Sequence, residues 1–129
     1  MMATRRGERS TMPTPDPIDE LRQQLRTFAA ERDWQQFHPP KNLAMALSVE
    51  AAELLEHFQW LGDEASRTLA APAKSAVAEE LADVLLYLVR LADVLGLDLI
   101  AAARAKLARN AERYPVEKAR GSSRKYTEL

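Results

Sequence analysis

The feature that most constrains this chain is an apolar helical stretch, residues 79–91, that carries acids where a packed helix should carry none. Its apolar positions recur at steps of three and four, which predicts a buried stripe: Leu81, Val84, Leu88, Leu91 and Leu95. Glu80 and Asp83 lie in a second line beside that stripe, so we expect them to face protein. Because burying an ionised carboxylate without a partner costs several kcal/mol or more, these acids need a positive group nearby.

A second predicted helix, from Asn42 to Leu61, repeats the pattern. Glu50 occupies a position in its apolar stripe, and Glu53, three residues further on, lies on the same face. The two helices are joined by a short connection and should run antiparallel. Both acidic pairs are therefore expected to meet in the middle of the bundle.

A single acidic pair on a helix is usually a solvated face. Two pairs with apolar residues around every acid are harder to explain in that way. Basic residues are also too few for four buried ion pairs, because residues 43–59 contain no lysine or arginine and residues 74–95 contain only Lys74 and Arg90. The pattern favours a cation taken from solution.

The four candidate ligands, Glu50, Glu53, Glu80 and Asp83, all offer carboxylate oxygens. Hard oxygen ligands select Mg²⁺ or Mn²⁺, whereas zinc calls for histidine or cysteine. Di-iron bundles need Glu-x-x-His, which neither pair provides. Since Mg²⁺ commonly takes its remaining ligands from substrate phosphates, the acids predict a hydrolase of phosphate esters or phosphoanhydrides that uses water as the nucleophile.

The remaining sequence predicts an all-α fold, a four-helix bundle over residues 16–114, between a disordered leader (1–15) and a C-terminal tail (115–129). The expected helix boundaries come from caps, prolines and glycines: Asp16 with Pro17 to Arg32, Asn42 to Gly62, Pro72 to Gly96, and Asp98 to Arg113. One or two helical turns are expected over 63–70. The third long helix is apolar around most of its circumference, which favours a homo-oligomer.

Composition excludes several classes of protein. A net charge of −1 means that the chain has no excess of positive charge with which to bind a nucleic acid polymer or an anionic membrane. The chain has no cysteine, so it has neither a disulfide framework nor a zinc-thiolate site. Its first nine residues lack the apolar core of a signal peptide, and no apolar run is long enough to span a membrane. We therefore expect a cytoplasmic protein.

Several motifs resemble those of the MazG-like all-α nucleoside triphosphate pyrophosphohydrolases, and within that family the dCTP-hydrolysing branch. The two acidic pairs are joined in this resemblance by Arg32-Asp33-Trp34, Gln36-Phe37-His38, Phe58-Gln59-Trp60, Tyr87-Leu88-Val89, Arg113-Tyr114-Pro115-Val116 and the terminal Lys125-Tyr126-Thr127-Glu128-Leu129. The resemblance implies cleavage of a deoxynucleoside triphosphate, dCTP or a modified dCTP, to the monophosphate and pyrophosphate. It also implies a homodimer or homotetramer.

The resemblance assigns the four acids to Mg²⁺ and gives six residues to the substrate: Trp34, His38, Trp60, Tyr87, Lys106 and Asn110. Position 25 departs from the family pattern, because Leu25 stands where the family has a histidine. From the residues themselves, Tyr87 is one turn beyond Asp83, within a nucleotide's length of the metal. Glu53 is our choice for the carboxylate that orients or deprotonates water.

Other functions fit the same pattern. The fold is also expected to suit dUTP, a damaged nucleotide or phosphoribosyl-ATP as substrate. A different class of function, a non-catalytic helical oligomerisation module with structural metal, accounts for the acids as well. Lys106, Arg109 and Arg113 are close in line on the fourth helix and either contact phosphates or form an ordinary basic helix end.

Overall fold

The computed structural model describes Thr14 and residues 16–129, so the predicted leader lies outside the described residues apart from Thr14. The described part is helical: α1 Pro17–Glu31, α2 Pro40–Glu56, α3 Asp63–Arg67, α4 Ala71–Val94, α5 Leu99–Arg113 and α6 Val116–Ala119, with 3₁₀ turns at Gln35–Phe37 and Tyr126–Glu128. Over residues 16–129 there is no strand. The all-α fold class is confirmed.

Two of the helices begin at the aspartates that the sequence predicts as caps. The Asp16 carboxylate accepts a hydrogen bond from the Ile18 amide at 3.0 Å. The Asp98 carboxylate accepts one from the Ala101 amide at 2.9 Å. Each side chain satisfies an amide that a helix leaves without an internal partner.

The predicted boundaries of the second helix are wrong at both ends. It begins at Pro40, and Asn42 lies inside its first turn, where the side-chain amide donates to the Phe37 carbonyl at 3.5 Å. Proline suits the first helical position because it has no amide hydrogen to satisfy there. The helix ends at Glu56, because the following residues tighten into turns in which the amides of His57, Phe58 and Leu61 donate three residues back. Gly62 caps α3 instead.

Two left-handed residues end α1 and α4. Asp33 has φ 52° and Gly96 has φ 67°. The amide that follows each of them donates back five residues, from Trp34 to Ala29 and from Leu97 to Ala92, both at 2.8 Å. This arrangement satisfies the last carbonyls of a helix and turns the chain sharply.

Helix α4 is the central helix of the chain and packs against α2 and α1. The buried residues come from all three helices: Ala29 from α1, Leu43 from α2, and Val77, Val89 and Ala92 from α4. Contacts between the α2 region and α4 run in opposite order, with His38 near Arg90 and His57 near Glu80. The expected antiparallel arrangement is therefore present.

A buried carboxylate ties α1 to α4. The Asp93 side chain is 5% exposed, and Arg26 forks onto it with Nε and Nη2 each 2.6 Å from a carboxylate oxygen. Arg22 Nη1 lies 3.6 Å from the same group. The hydrogen bond from Arg26, which outweighs the effect of burial, lowers the pKa of Asp93.

Helix α5 leaves this packing. Every residue from Ala101 to Arg109 is exposed, and Leu107 keeps 70% of its surface open. Beyond it the chain folds back on the end of α5, where the rings of Tyr114 and Tyr126 meet edge to face at 6.0 Å. No helix in the described part of the chain is both long and apolar enough to cross a membrane.

Candidate active site

Three of the four predicted ligands come together between α2 and α4. One carboxylate oxygen from each of Glu50, Glu80 and Asp83 lies within 4.8 Å of the other two. Glu80 and Asp83 are one turn apart on α4, and the antiparallel packing places Glu50 of α2 opposite them. The spacing of acids in the sequence thus becomes a cluster in space.

The cluster is short of positive charge. One oxygen of Glu50 and one of Glu80 are buried and have no hydrogen-bond partner in the described structure. Burial raises the pKa of Glu50 to about 7, and negative charge from Glu53, Asp83 and Glu80 adds to the shift. Unpartnered buried carboxylate oxygens at this spacing fit a divalent cation, whose charge would offset both burial and repulsion.

Glu53 and His57 lie beside the cluster. Glu53 does not belong to the group of three, although it is close enough to Glu50 to raise that residue's pKa. His57 Nε2 lies 3.6 Å from a Glu80 oxygen. The sequence gives no sign of this histidine contact, because it depends on where α2 ends.

A pocket of about 160 Å³ opens beside the acids. It is lined by Leu25, Phe28 and Ala29 of α1, Trp34 and His38 of the connecting loop, and Asp83, Leu86, Tyr87 and Arg90 of α4. The walls are mainly apolar and aromatic, with polar groups at a few places, which is typical of a small-molecule site.

The end of α1 places Trp34 in this wall. After the left-handed turn at Asp33, the indole meets the Phe28 ring edge to face, with centroids 5.6 Å apart. The Arg32 guanidinium covers the same ring at 3.7 Å. The loop aromatic that the sequence assigns to the substrate is thus fixed against α1.

Arg90 holds His38, which also lines the pocket. Its Nε donates to His38 Nδ1 at 3.2 Å, so the neutral imidazole carries its proton on Nε2. Burial lowers the pKa of His38, and the positive charge of Arg90 lowers it further. The histidine is therefore neutral near pH 7.

Asp83 belongs to both features, because it is one of the three clustered acids and it also lines the pocket. A molecule in the pocket therefore lies next to the candidate cation site. Trp34, His38 and Tyr87 are gathered here as the sequence predicts.

Three other predicted substrate residues lie elsewhere in the protomer. Trp60 follows α2 and is 88% exposed, while Lys106 and Asn110 lie on α5. Conversely, Arg90 lines the pocket and was not among the predicted site residues. Its spacing, three residues after Tyr87 and seven after Asp83 on the same helix face, could have identified it.

Comparisons with known proteins give a consistent result. The model of the MazG-like family matches residues 45–129. The dCTP pyrophosphatase 1 of Mus musculus is 48% identical over 119 residues, which cover 90% of this chain and 70% of the mouse protein. That of Bos taurus is 43% identical over an alignment 137 residues long, which covers 100% of this chain and 81% of the bovine protein. Among solved structures, a pyrophosphatase from Archaeoglobus fulgidus superimposes with a TM-score of 0.75 at 40% identity, covering 81% of this chain and 97% of that one.

The Glu50 environment predicts an inverse dependence of stability on pH in metal-free protein. Because the folded-state pKa is about 7, above the ordinary 4.5, the stability linked to Glu50 is fully present below about pH 4.5 and is lost as pH rises through 7. Glu50→Gln should remove this component and melt at a higher temperature than the unsubstituted protein at pH 8. A divalent cation should stabilise the unsubstituted protein and not the variant.

Thermal melts at pH 5.5 and 8, with and without Mg²⁺, measure this effect. Glu56→Gln is the matched control, since it removes an exposed acid from the same helix. Parallel pH profiles for Glu50→Gln and the unsubstituted protein would show that the cluster carries no such strain.

Proposed function

Because this chain belongs to the MazG-like family, we propose that it hydrolyses dCTP, or a modified dCTP, to the monophosphate and pyrophosphate, and so removes this nucleotide from the cytoplasmic pool. The relatives named as dCTP pyrophosphatase 1 support this assignment. The observation that carries it is the double position of Asp83, which joins an acidic cluster to a ring-sized pocket. A nucleotide needs this juxtaposition, with phosphates at a cation and a base in an apolar slot.

The size of the pocket favours a single-ring base. An apolar cavity of about 150 Å³ accommodates one benzene molecule, and the pocket here is about 160 Å³. Trp34 and Tyr87 offer aromatic faces for stacking, which contributes about 1–3 kcal/mol per base. A pyrimidine therefore suits this slot better than a purine.

We assign the cation as Mg²⁺, with Mn²⁺ as an equivalent, held by Glu50, Glu80 and Asp83. When bound, it supplies Lewis-acid chemistry, polarising phosphate oxygens and offsetting their charge. The protein's own contribution is to hold the three carboxylates in place through the packing of α2 on α4. Such preorganisation removes the cost of gathering charges during the reaction.

Glu53 is the proposed group for water. It lies one turn from Glu50, in a half-buried position outside the group of three acids. A carboxylate that is not needed to hold the cation can accept a proton from water and orient it toward phosphorus. No serine or cysteine lines the pocket, so direct attack by water at the α-phosphorus is the simplest reaction.

We further propose that the active enzyme is a homodimer or homotetramer. Helix α4 exposes Leu81 and Leu85, and α5 exposes Leu107, although these apolar side chains are of a kind that proteins usually cover. Covering them with a second copy would also bring the exposed Trp60 and Lys106 and the half-buried Asn110 near bound substrate. Lys106 would then meet phosphate charge.

The function is tested by measuring pyrophosphate release from dCTP, 5-methyl-dCTP, dUTP, dTTP, the purine dNTPs and phosphoribosyl-ATP with Mg²⁺. We expect the cytosine nucleotides to be the best substrates and chelation of the metal to stop the reaction. Glu80→Gln should lower kcat/KM at least a hundredfold, because it removes one cluster carboxylate. Its matched control is Glu79→Gln, which changes the exposed neighbour.

Absence of pyrophosphate release from every nucleotide would favour the alternative of a non-catalytic oligomerisation module. A higher rate with dUTP or phosphoribosyl-ATP would keep the chemistry and change the substrate. Full activity of Glu80→Gln would show that the acidic cluster takes no part in the reaction.

The position of attack is tested in ¹⁸O-labelled water. If water attacks the α-phosphorus, label appears in dCMP and not in pyrophosphate, which mass spectrometry of both products resolves. Glu53→Gln should slow this reaction mainly in kcat, since the group acts on water rather than in binding. Label in pyrophosphate would instead place attack at the β-phosphorus.

The oligomer is tested by light scattering coupled to gel filtration. We expect a dimer or tetramer, and Leu107→Lys should shift it toward monomer at micromolar concentration, because a charge would be buried at the contact. The protomer should stay folded, since Leu107 is 70% exposed within it. The control Glu64→Lys changes an exposed residue of α3. A fully active monomer would contradict the proposal.

A further inference from the structure

We infer that Arg90 reads the edge of the base, and that Asp93 holds it in position for this task. The inference rests on the proposed function and extends it from substrate class to the group that selects the base. Arg90 therefore acts as a specificity-determining residue and Asp93 as a positioning residue.

Arg90 is an unusual residue for its surroundings. It lies among apolar residues near the end of α4, is 8% exposed, and lines the pocket with Trp34 and Tyr87. Among residues 16–129 its guanidinium makes one hydrogen bond, from Nε to His38, while Nη1 lies 3.6 Å from an Asp93 oxygen. Since a guanidinium carries five N–H donors, most of them remain available to a ligand.

A need to neutralise Asp93 does not explain why an arginine is buried at position 90. Arg26 already forks onto both oxygens of Asp93 at 2.6 Å, and Arg22 lies 3.6 Å away. These two arginines of α1 therefore already compensate the charge of the carboxylate. The Asp93 side chain is 5% exposed and is fixed by Arg26, so it gives the Arg90 side chain a rigid anchor.

The chemistry of the available donors favours cytosine. Arg90 offers N–H groups only; its Nε donates to His38, and its terminal nitrogens Nη1 and Nη2 present a fork of two neighbouring donors. Two neighbouring donors match two neighbouring acceptors, and cytosine has such a pair in O2 and N3. Uracil and thymine carry a hydrogen on N3, which would oppose a donor. The pocket is therefore complementary to cytosine among the single-ring bases.

A purely structural role for Arg90 predicts different results. Loss of a structural ion pair would lower stability and act on all nucleotides alike. Loss of a base contact would change the ranking of nucleotides and act mainly on KM. The ratio of kcat/KM for dCTP to that for dUTP separates the two roles, because effects common to both substrates cancel.

The experiment compares Arg90→Met, Arg90→Lys and the control Arg67→Met, which changes an exposed arginine of α3. Arg90→Met should reduce the dCTP to dUTP ratio about tenfold to a hundredfold, the range expected for a contact to a base edge. Arg90→Lys should recover part of the ratio, since it keeps charge but lacks the planar fork. Asp93→Asn should reduce the ratio less than Arg90→Met, and Arg67→Met should leave it unchanged.

Binding of dCMP and dUMP, followed by ligand-observed NMR, makes the test independent of turnover. Tighter binding of dCMP than of dUMP that is lost in Arg90→Met supports the inference. This holds even if the unsubstituted protein hydrolyses no triphosphate, a result that would contradict the proposed function alone. Should Arg90→Met fail to fold, the Arg90→Lys comparison decides. An unchanged nucleotide ratio in a folded Arg90 variant, or equal binding of dCMP and dUMP to the unsubstituted protein, would overturn the inference.

Discussion

Mutual repulsion among the carboxylates of Glu50, Glu80 and Asp83 is the constraint around which this structure is built. Packing of α2 on α4 forces the three groups within 4.8 Å, and two of their oxygens are buried without a partner. Such an arrangement is unfavourable in the isolated chain, and a protein gains nothing from it in stability. A bound cation would offset this repulsion, so relief of the repulsion would contribute to cation binding.

Another buried acid of α4, Asp93, is a carboxylate whose charge is compensated by neighbouring groups. Asp93 has arginines from α1 and α4 around it, and the hydrogen bond from Arg26 lowers its pKa. At Glu50 burial and neighbouring acids raise the pKa to about 7. The pKa values of the two carboxylates thus shift in opposite directions, because Asp93 is paired with arginines and Glu50 is buried among other acids. The Asp93 contacts hold α1 against α4 and thereby shape the pocket next to the acids.

The sequence predicts the parts of this structure that depend on short-range pattern. Asp16 and Asp98 cap helices as expected, and the acids at steps of three meet because helix periodicity brings them to one face. The error at Asn42 arose where two consecutive prolines offered a better start to α2. Helix periodicity places Arg90 on the face of Asp83 and Tyr87, but its contact with His38, 52 residues away along the chain, depends on tertiary packing. The roles of Trp60, Lys106 and Asn110 stay predictions, since none of the three lines the pocket.

The order of groups along α4 gives a physical reason for one helix to organise the whole site. Glu80 and Asp83 lie in the acidic cluster, Tyr87 one turn further on in the pocket wall, and Arg90 another turn on. At about 1.5 Å per residue, Asp83 and Arg90 are roughly 10 Å apart along the axis. Phosphate, sugar and base follow one another in a nucleotide over a comparable length. A substrate lying along this face would therefore meet charge, aromatic ring and hydrogen-bond donor in that order, from its phosphates to its base. A helix that carries all three in one register fixes their spacing more rigidly than loops could, because its backbone hydrogen bonds set the rise per residue.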